Sequence, residues 1–303
     1  MDKGYKQGLI AILSCNILWG FLPIYWQSLR PIDSMIIIFY RIVTMAIVCF
    51  IIGVAKIGIK DLFKPLFESK KSILIYLVAG IIITVNWSLY IWAVNANYVI
   101  QTCMGYYIEP LLICLFGIVL FKEKSNKWKK VAFGIALLGL LVMVIGYRQV
   151  PLIAIALAST FAIYAAIKKS VNINPIQSLL YETIFMAPIA LIAIIYCEVN
   201  KMGAFTVVEP SKIFLLMLAG LFTAMPLGLY SFAANKLPLI NVGIAGYISP
   251  SISLILGIFL FKEPFDGIQF TAFVIIWIGL VFFTYGEYVE IKNQNMEAIS
   301  EGC

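Results

Sequence analysis

The stretch GYYIEPLLICLFGIVLFKE, residues 105–123, returns 140 residues later as AGYISPSISLILGIFLFKE, residues 245–263. Tyr107, Ile108 and Pro110 fall on Tyr247, Ile248 and Pro250, and Gly117 falls on Gly257. Leu120, Phe121, Lys122 and Glu123 fall on Leu260, Phe261, Lys262 and Glu263. Working outward, the same shift pairs Tyr90 with Tyr230, Ala93 with Ala233, Asn95 with Asn235, Gly139 with Gly279 and Gly146 with Gly286. Apolar helices resemble one another because a few residue types dominate them. Chance does not keep Pro, Tyr, Asn and an FKE run in one register, so the chain reads as a duplication.

The solvent of the duplicated unit follows from composition. Of 303 residues, 62% are hydrophobic and only 12% charged, about half the charge of a soluble protein, and the mean hydropathy is +0.99. A helix needs about 20 apolar residues to cross a bilayer. Such runs fall at 7–26, 34–54, 72–93, 99–121, 130–147, 151–167, 177–197, 212–234, 240–261 and 267–286. The sequence therefore predicts an all-α integral membrane protein of ten transmembrane helices, two five-helix repeats spanning 1–147 and 148–286, with a short polar tail at 287–303 lacking packed structure. Five is odd, so the second repeat enters the membrane upside down. Inverted repeats are a recurring build of secondary transporters, which hold substrate near the midplane between the halves.

The formal charge of +7 reports orientation and not a nucleic-acid partner. Sixteen basic residues fall on the side of both termini, counting Lys122, Lys124, Lys127, Lys129 and Lys130 after helix 4 and Lys168 and Lys169 after helix 6. Five fall opposite, and Arg41 lies inside a helix. Basic loops stay inside, so both termini are expected in the cytoplasm. The first apolar run contains Trp19, Pro23 and Trp26 and lacks a small-x-small site before Arg30, so it is expected as a retained helix and not a cleaved signal. Six cysteines without CxxC spacing and no histidine point to neither disulfide framework nor metal site, and no cofactor is expected. The same absences, with no Gly-rich phosphate loop, argue against a membrane enzyme.

LWGFLPIYW (residues 18–26), FYR ending at Arg41, NWSLYIWAVN (86–95), GYYIEP (105–110), the two LFKE ends, Pro226 and GYISP (246–250) together resemble the EamA-type branch of the drug/metabolite transporter superfamily, and within it the RarD permeases. The resemblance covers almost the whole chain. It implies ten helices in two EamA units, a multi-pass protein of a bacterial cytoplasmic membrane, and export or exchange of small organic molecules. Glu109 stands where the resemblance leads one to expect Asn, which leaves any role carried over there open.

Ionisable side chains at membrane depth face the bundle interior by default. Arg41, Glu109 and Glu182 qualify. Arg41 and Glu109 lie about eight and ten residues from the outer ends of their helices, so Arg41 is roughly 12 Å deep and Glu109 at a similar level, and they are expected to pair. Such a pair either lines the substrate pathway or only locks helices 2 and 4. Glu182 is expected nearer the cytoplasmic face. Proton coupling, if any, would need a carboxylate, for which Glu182 is the candidate. Asn86, Trp87 and Tyr90, with Tyr106, Tyr230 and Tyr247, are pathway candidates for a small organic solute. Pro23, Pro110, Pro226 and Pro250 are candidate helix breaks, and Glu123 and Glu263 candidate structural or gating residues. A passive channel or a lipid-moving protein remains the alternative, although the polar residues are scattered and not aligned in one stripe.

Overall fold

The computed structural model describes residues 3–95, 98–148, 152–262 and 266–300. It holds α1 (Lys3–Ser28), α2 (Ser34–Ile57), a short surface helix α3 (Ile59–Phe67), α4 (Lys70–Asn95), α5 (Val99–Leu120) and α6 (Lys127–Tyr147). The second half holds α7 (Leu152–Ser170), α8 (Pro175–Ile184), α9 (Ala187–Val199), α10 (Ala204–Val207), α11 (Pro210–Met217), α12 (Ala219–Lys236), α13 (Leu239–Ala245), α14 (Ile248–Phe259) and α15 (Gly267–Ser300). No strand occurs among the described residues. Ten stretches are long and apolar enough to cross a membrane. Their outer surface is Ile, Val and Phe, with Ile10, Ile145, Val199 and Val281 each at least two-thirds exposed, a coat that only lipid covers favourably.

Helix starts follow from local chemistry. Asp33 caps α2 by accepting from the Met35 N–H, Asn126 caps α6 through the Lys129 N–H, and Asn174 caps α8 ahead of Pro175. These side chains satisfy backbone donors that have no intrahelical acceptor.

The second half is more broken than the first. Its seventh crossing, expected as one helix, is α8 followed by α9. The 13 residues of α9 rise only about 20 Å, short of the hydrocarbon core, so α8 completes the crossing. Pro188 lacks an N–H and its ring opposes the Ile184 carbonyl, which ends α8 at Ile184. Pro250 opposes the Gly246 carbonyl in the same way, and α13 gives way to α14 there. Between α11 and α12 the cause is tertiary: the Gly220 N–H bonds the Thr44 hydroxyl of α2 at 2.9 Å. Pro23, Pro110 and Pro226, by contrast, sit inside continuous helices. Pro23, Pro110 and Pro226 thus end no helix, although each still removes one helical donor, and Pro188 supplies a break that sequence did not single out.

The two halves pack as an exchangeable pair. α6 runs along α15, α5 packs on α7 and α13, α1 packs on α12 and α14, and α4 on α7. Exchanging each helix for its repeat mate returns the same set of neighbours. The FKE turns agree in detail: Lys122 and Lys262 adopt φ of 52° and 54°, a left-handed conformation that costs a non-glycine residue about 1 kcal/mol. Close crossings use small residues. A Cβ on Gly243 would come within 2.7 Å of the Pro110 carbonyl oxygen and Cys114 Sγ.

Two expectations change at the termini face, the side carrying Lys3 and the end of α15. The tail does not begin unstructured at Glu287, because α15 continues to Ser300. Lys129 and Lys168, counted as loop charges, are 3% and 1% exposed and belong to buried networks.

A Cβ on Gly220 would lie 2.2 Å from the Met45 nitrogen and 2.3 Å from the Thr44 carbonyl carbon, backbone atoms that cannot swing away. Gly220→Ala is expected to lose roughly 1–3 kcal/mol of stability, read as a lower unfolding midpoint of the detergent-solubilised protein, whereas Gly134→Ala, with open space at its Cβ, should leave the midpoint unchanged.

Candidate functional site

Arg41 sits in the middle turns of α2 and turns its guanidinium onto aromatic faces. Its Cζ lies 3.7 Å from the centroid of Trp87 on α4 and 5.5 Å from that of Trp26 on α1. Stacking of this kind recovers about 0.5–2 kcal/mol, less than the several kcal/mol of desolvation an ion suffers at membrane depth. Its Nε and Nη2 are buried without a hydrogen-bond partner. The expected ion pair with Glu109 does not form: the described ion pairs are Lys129 with Glu287 and Glu290, Lys168 with Glu182, and Lys169 with Glu123. The reason is geometric. Arg41 faces the tryptophans of α1 and α4, while Glu109 lies on α5 within electrostatic reach of Tyr106, Tyr230 and Tyr247.

These residues keep accessible surface. Tyr106 keeps 44% of its surface exposed and Tyr90 37%, with ring centroids 5.8 Å apart. Arg41, Trp87 and Glu109 are also partly accessible. Tyr106 acts electrostatically on Arg41, and Glu109 on Tyr106, so these groups of α2, α4 and α5 share one neighbourhood.

A second aromatic cluster joins three more helices. Trp19, Phe161 and Tyr230 bring α1, α7 and α12 together with centroids 5.5–5.9 Å apart. The Tyr230 hydroxyl is buried without a partner, and Tyr247 donates to the carbonyl of its own repeat mate Tyr107 at 2.9 Å. Asn86 is committed elsewhere: its amide donates to the Leu157 carbonyl and the Thr160 hydroxyl, both at 2.8 Å, tying α4 to α7.

Toward the termini face the helices are joined by polar ties. Glu182, a pathway candidate by sequence, is 3% exposed and shut into a network. It pairs with Lys168, accepts from Tyr164 at 2.9 Å and from Ser178 at 2.9 Å, and so joins α7 to α8. Glu123 accepts from the Leu239 and Ile240 N–H groups at 2.8 and 3.1 Å, capping the broken ninth crossing where its dipole is positive. Gly117 makes room for that carboxylate, since a Cβ there would lie 2.5 Å from Glu123 Oε2. Lys129 reaches Glu287 and Glu290 at 2.6 and 2.7 Å and Asn241 at 2.9 Å, and Asn241 in turn donates to Tyr5 at 2.6 Å. Glu263, the repeat mate of Glu123, lies outside the described residues.

Sequence reading missed Lys168, Lys129, Asn241 and Trp26. No spacing rule links Lys168 to Glu182 or Lys129 to Glu287. A signal for Trp26 existed in hindsight, because aromatic residues at helix ends are ordinarily interface anchors and this one reaches an intramembrane arginine.

A lipid-coated bundle of two matched halves, with unpaired charges among aromatic side chains and polar ties toward one face, fits a membrane transporter. The chain belongs to the EamA-like transporter family, whose model matches twice, at residues 6–145 and 149–285. It is therefore a membrane transporter of the drug/metabolite type. It is 37% identical to an uncharacterized transporter, YojE, of Bacillus subtilis, over 93% of this chain and 95% of that one. It is 30% identical to Protein RarD of Streptomyces exfoliatus, over 94% and 90%, and 27% identical to Protein RarD of Escherichia coli, over 93% and 95%. A solved crystal structure superposes with a TM-score of 0.68 at 16% identity, covering 92% of this chain and 97% of that one, a likeness of fold. With bacterial relatives and ten apolar helices, this is a multi-pass membrane protein.

Glu123 should govern how tightly the termini face closes. In a background without native cysteines, a cysteine replacing Asn241, now 1% exposed, is expected to react slowly with an aqueous thiol reagent. Glu123→Ala should raise that rate about tenfold or more, as loss of two charge-assisted bonds implies, and Glu123→Gln, which keeps an acceptor, should raise it less.

Proposed function

We propose that the protein is a secondary transporter that exports or exchanges small organic molecules by alternating access, with substrate held in a cavity between α2, α4 and α5 beside Arg41 and Glu109. The observation that carries this reading is a pair of partly accessible ionisable groups without ion-pair partners among the described residues, while Lys129, Lys168 and Lys169 have theirs. Charges left open at membrane depth mark solute pathways. Arg41, Trp87, Tyr90, Tyr106 and Glu109 form the binding surface, and Tyr230 its floor. Asn86, Tyr247 and Glu182 act from behind it by holding α4, α13 and α8 in place.

The repeats over 1–147 and 148–286 are the two moving units. The asymmetry supports this: the breaks at Phe185, Leu218 and Gly246 have no counterpart in α2, α4 or α5. A second state arises when the first half adopts the broken form and the second the continuous one. The basic excess puts the termini face, including the 287–303 tail, in the cytoplasm, so the state described is closed inward and open outward. A reporter that works only in the cytoplasm, fused after Cys303, is expected to be active, and activity only of a periplasmic reporter would reverse the orientation.

Purified protein in liposomes is expected to move at least one member of a metabolite and drug panel, measured with and without a pH gradient to read any proton coupling. Arg41→Gln and Glu109→Gln should each cut the initial rate at least about tenfold, as removal of a charge-assisted contact implies. A panel that does not cross, together with protein-dependent lipid flipping or an ungated leak, would replace this reading with the channel or lipid-moving one.

A further inference from the structure

The buried cations differ in what they meet. Lys129 and Lys168 lie against carboxylates, and Lys169 is 3.8 Å from one, whereas no described carboxylate lies within 4.0 Å of Arg41. The two atoms left unpartnered, Nε and Nη2, carry the parallel N–H groups on one edge of a guanidinium, the fork that matches the two oxygens of a carboxylate. Trp87 covers the flat face at 3.7 Å, which fixes the plane of the group and leaves its edges as the binding element. Lys129, Lys168 and Lys169 are committed to protein carboxylates and supply no second open charge. Glu109 adds a negative one on α5, and Tyr90 and Tyr106 supply aromatic surface between them.

We infer that the solute carries a single carboxylate, seated on the Arg41 fork, with a planar or apolar body among Trp87, Tyr90 and Tyr106. This rests on the transporter reading of the cavity. Arg41 completes with its ligand the pairing that the lysines complete with the protein, once a change of its side-chain rotamer uncovers the fork, which is buried in this conformation. Glu109 sets the upper limit on charge: a second carboxylate on the solute would face it across the cavity, and like charges at short range in low dielectric repel strongly. A hydrogen-bond donor on the solute is welcome at that position.

The test uses the full chain in lipid nanodiscs and three probes of one shape: phenylacetate, its neutral amide phenylacetamide, and the dicarboxylate phenylmalonate. Binding is read by tryptophan fluorescence and by the unfolding midpoint. Phenylacetate is expected to bind saturably and at least about tenfold more tightly than the amide, the discrimination typical of one charge-assisted contact, with phenylmalonate weaker than phenylacetate. Arg41→Gln should erase the preference for acid over amide, and Arg41→Lys should retain part of it, each variant first shown to be folded by its ligand-free midpoint. Glu109→Gln should narrow the gap between phenylmalonate and phenylacetate. Equal binding of acid and amide, a preference that survives Arg41→Gln, or no saturable phenylacetate binding up to its solubility limit overturns the inference. These outcomes separate from those of the transporter reading. Arg41-dependent phenylacetate binding without any flux would sink transport and leave this site standing, and flux of neutral solutes indifferent to Arg41→Gln would do the reverse.

Discussion

A charge held at membrane depth needs a partner, and where this chain supplies partners decides which end of the bundle is shut. Lys168 with Glu182, Lys129 with Glu287 and Glu290, and Glu123 on the first N–H groups of α13 all lie toward the termini face. The ties of Lys129 and Glu123 join helices distant in sequence, and that of Lys168 joins the successive helices α7 and α8. Arg41 and Glu109 are left without ion-pair partners among the described residues. One face of the bundle is thus tied by paired charges, while these two charges stay unpaired.

The duplicated unit makes that division reversible in principle. Glu123 and Glu263 end matching helices, and Lys122 and Lys262 share an unusual backbone conformation. The halves are nevertheless not in the same state, since the three helices broken in the second half are continuous in the first. Two of those breaks have a cause in sequence, Pro188 and Pro250, and one has a cause only in packing, the Thr44 hydroxyl that draws off the Gly220 N–H. Breaks of this kind concentrate bending at a few peptide units and let the rest of each helix move as a rod.

The proposed cavity combines one cation, one carboxylate and several aromatic faces. Trp87 and Trp26 hold the guanidinium without neutralising it, so its charge remains available to a solute. The hydroxyls of Tyr230 and Tyr107, buried and without partners, add polar capacity that the observed conformation does not use. Asn86, which sequence alone would place against a ligand, instead spends its amide on α7. The difference matters for reading mutants, because a change at Asn86 acts on helix packing, whereas under the proposed function a change at Arg41 acts on the solute.

By itself the sequence determined the solvent, the number of crossings, the duplication and its inversion. Those follow from hydropathy, from a 140-residue register and from an odd helix count, all of which are properties of the chain as a string. It also brought Arg41, Glu109 and their aromatic neighbours to attention, because a charge in an apolar run is visible without coordinates. Only the tertiary structure decided who pairs with whom. Arg41 and Glu109 share a depth but face different neighbours, and depth along a helix carries no information about azimuth. Lys168 read as a loop charge because it sits at a helix end, yet the fold buries it against Glu182. The GYYIEP…FKE stretch carries two different carboxylates: Glu109 has no ion-pair partner among the described residues, while Glu123, about 20 Å further along the same helix direction, caps α13.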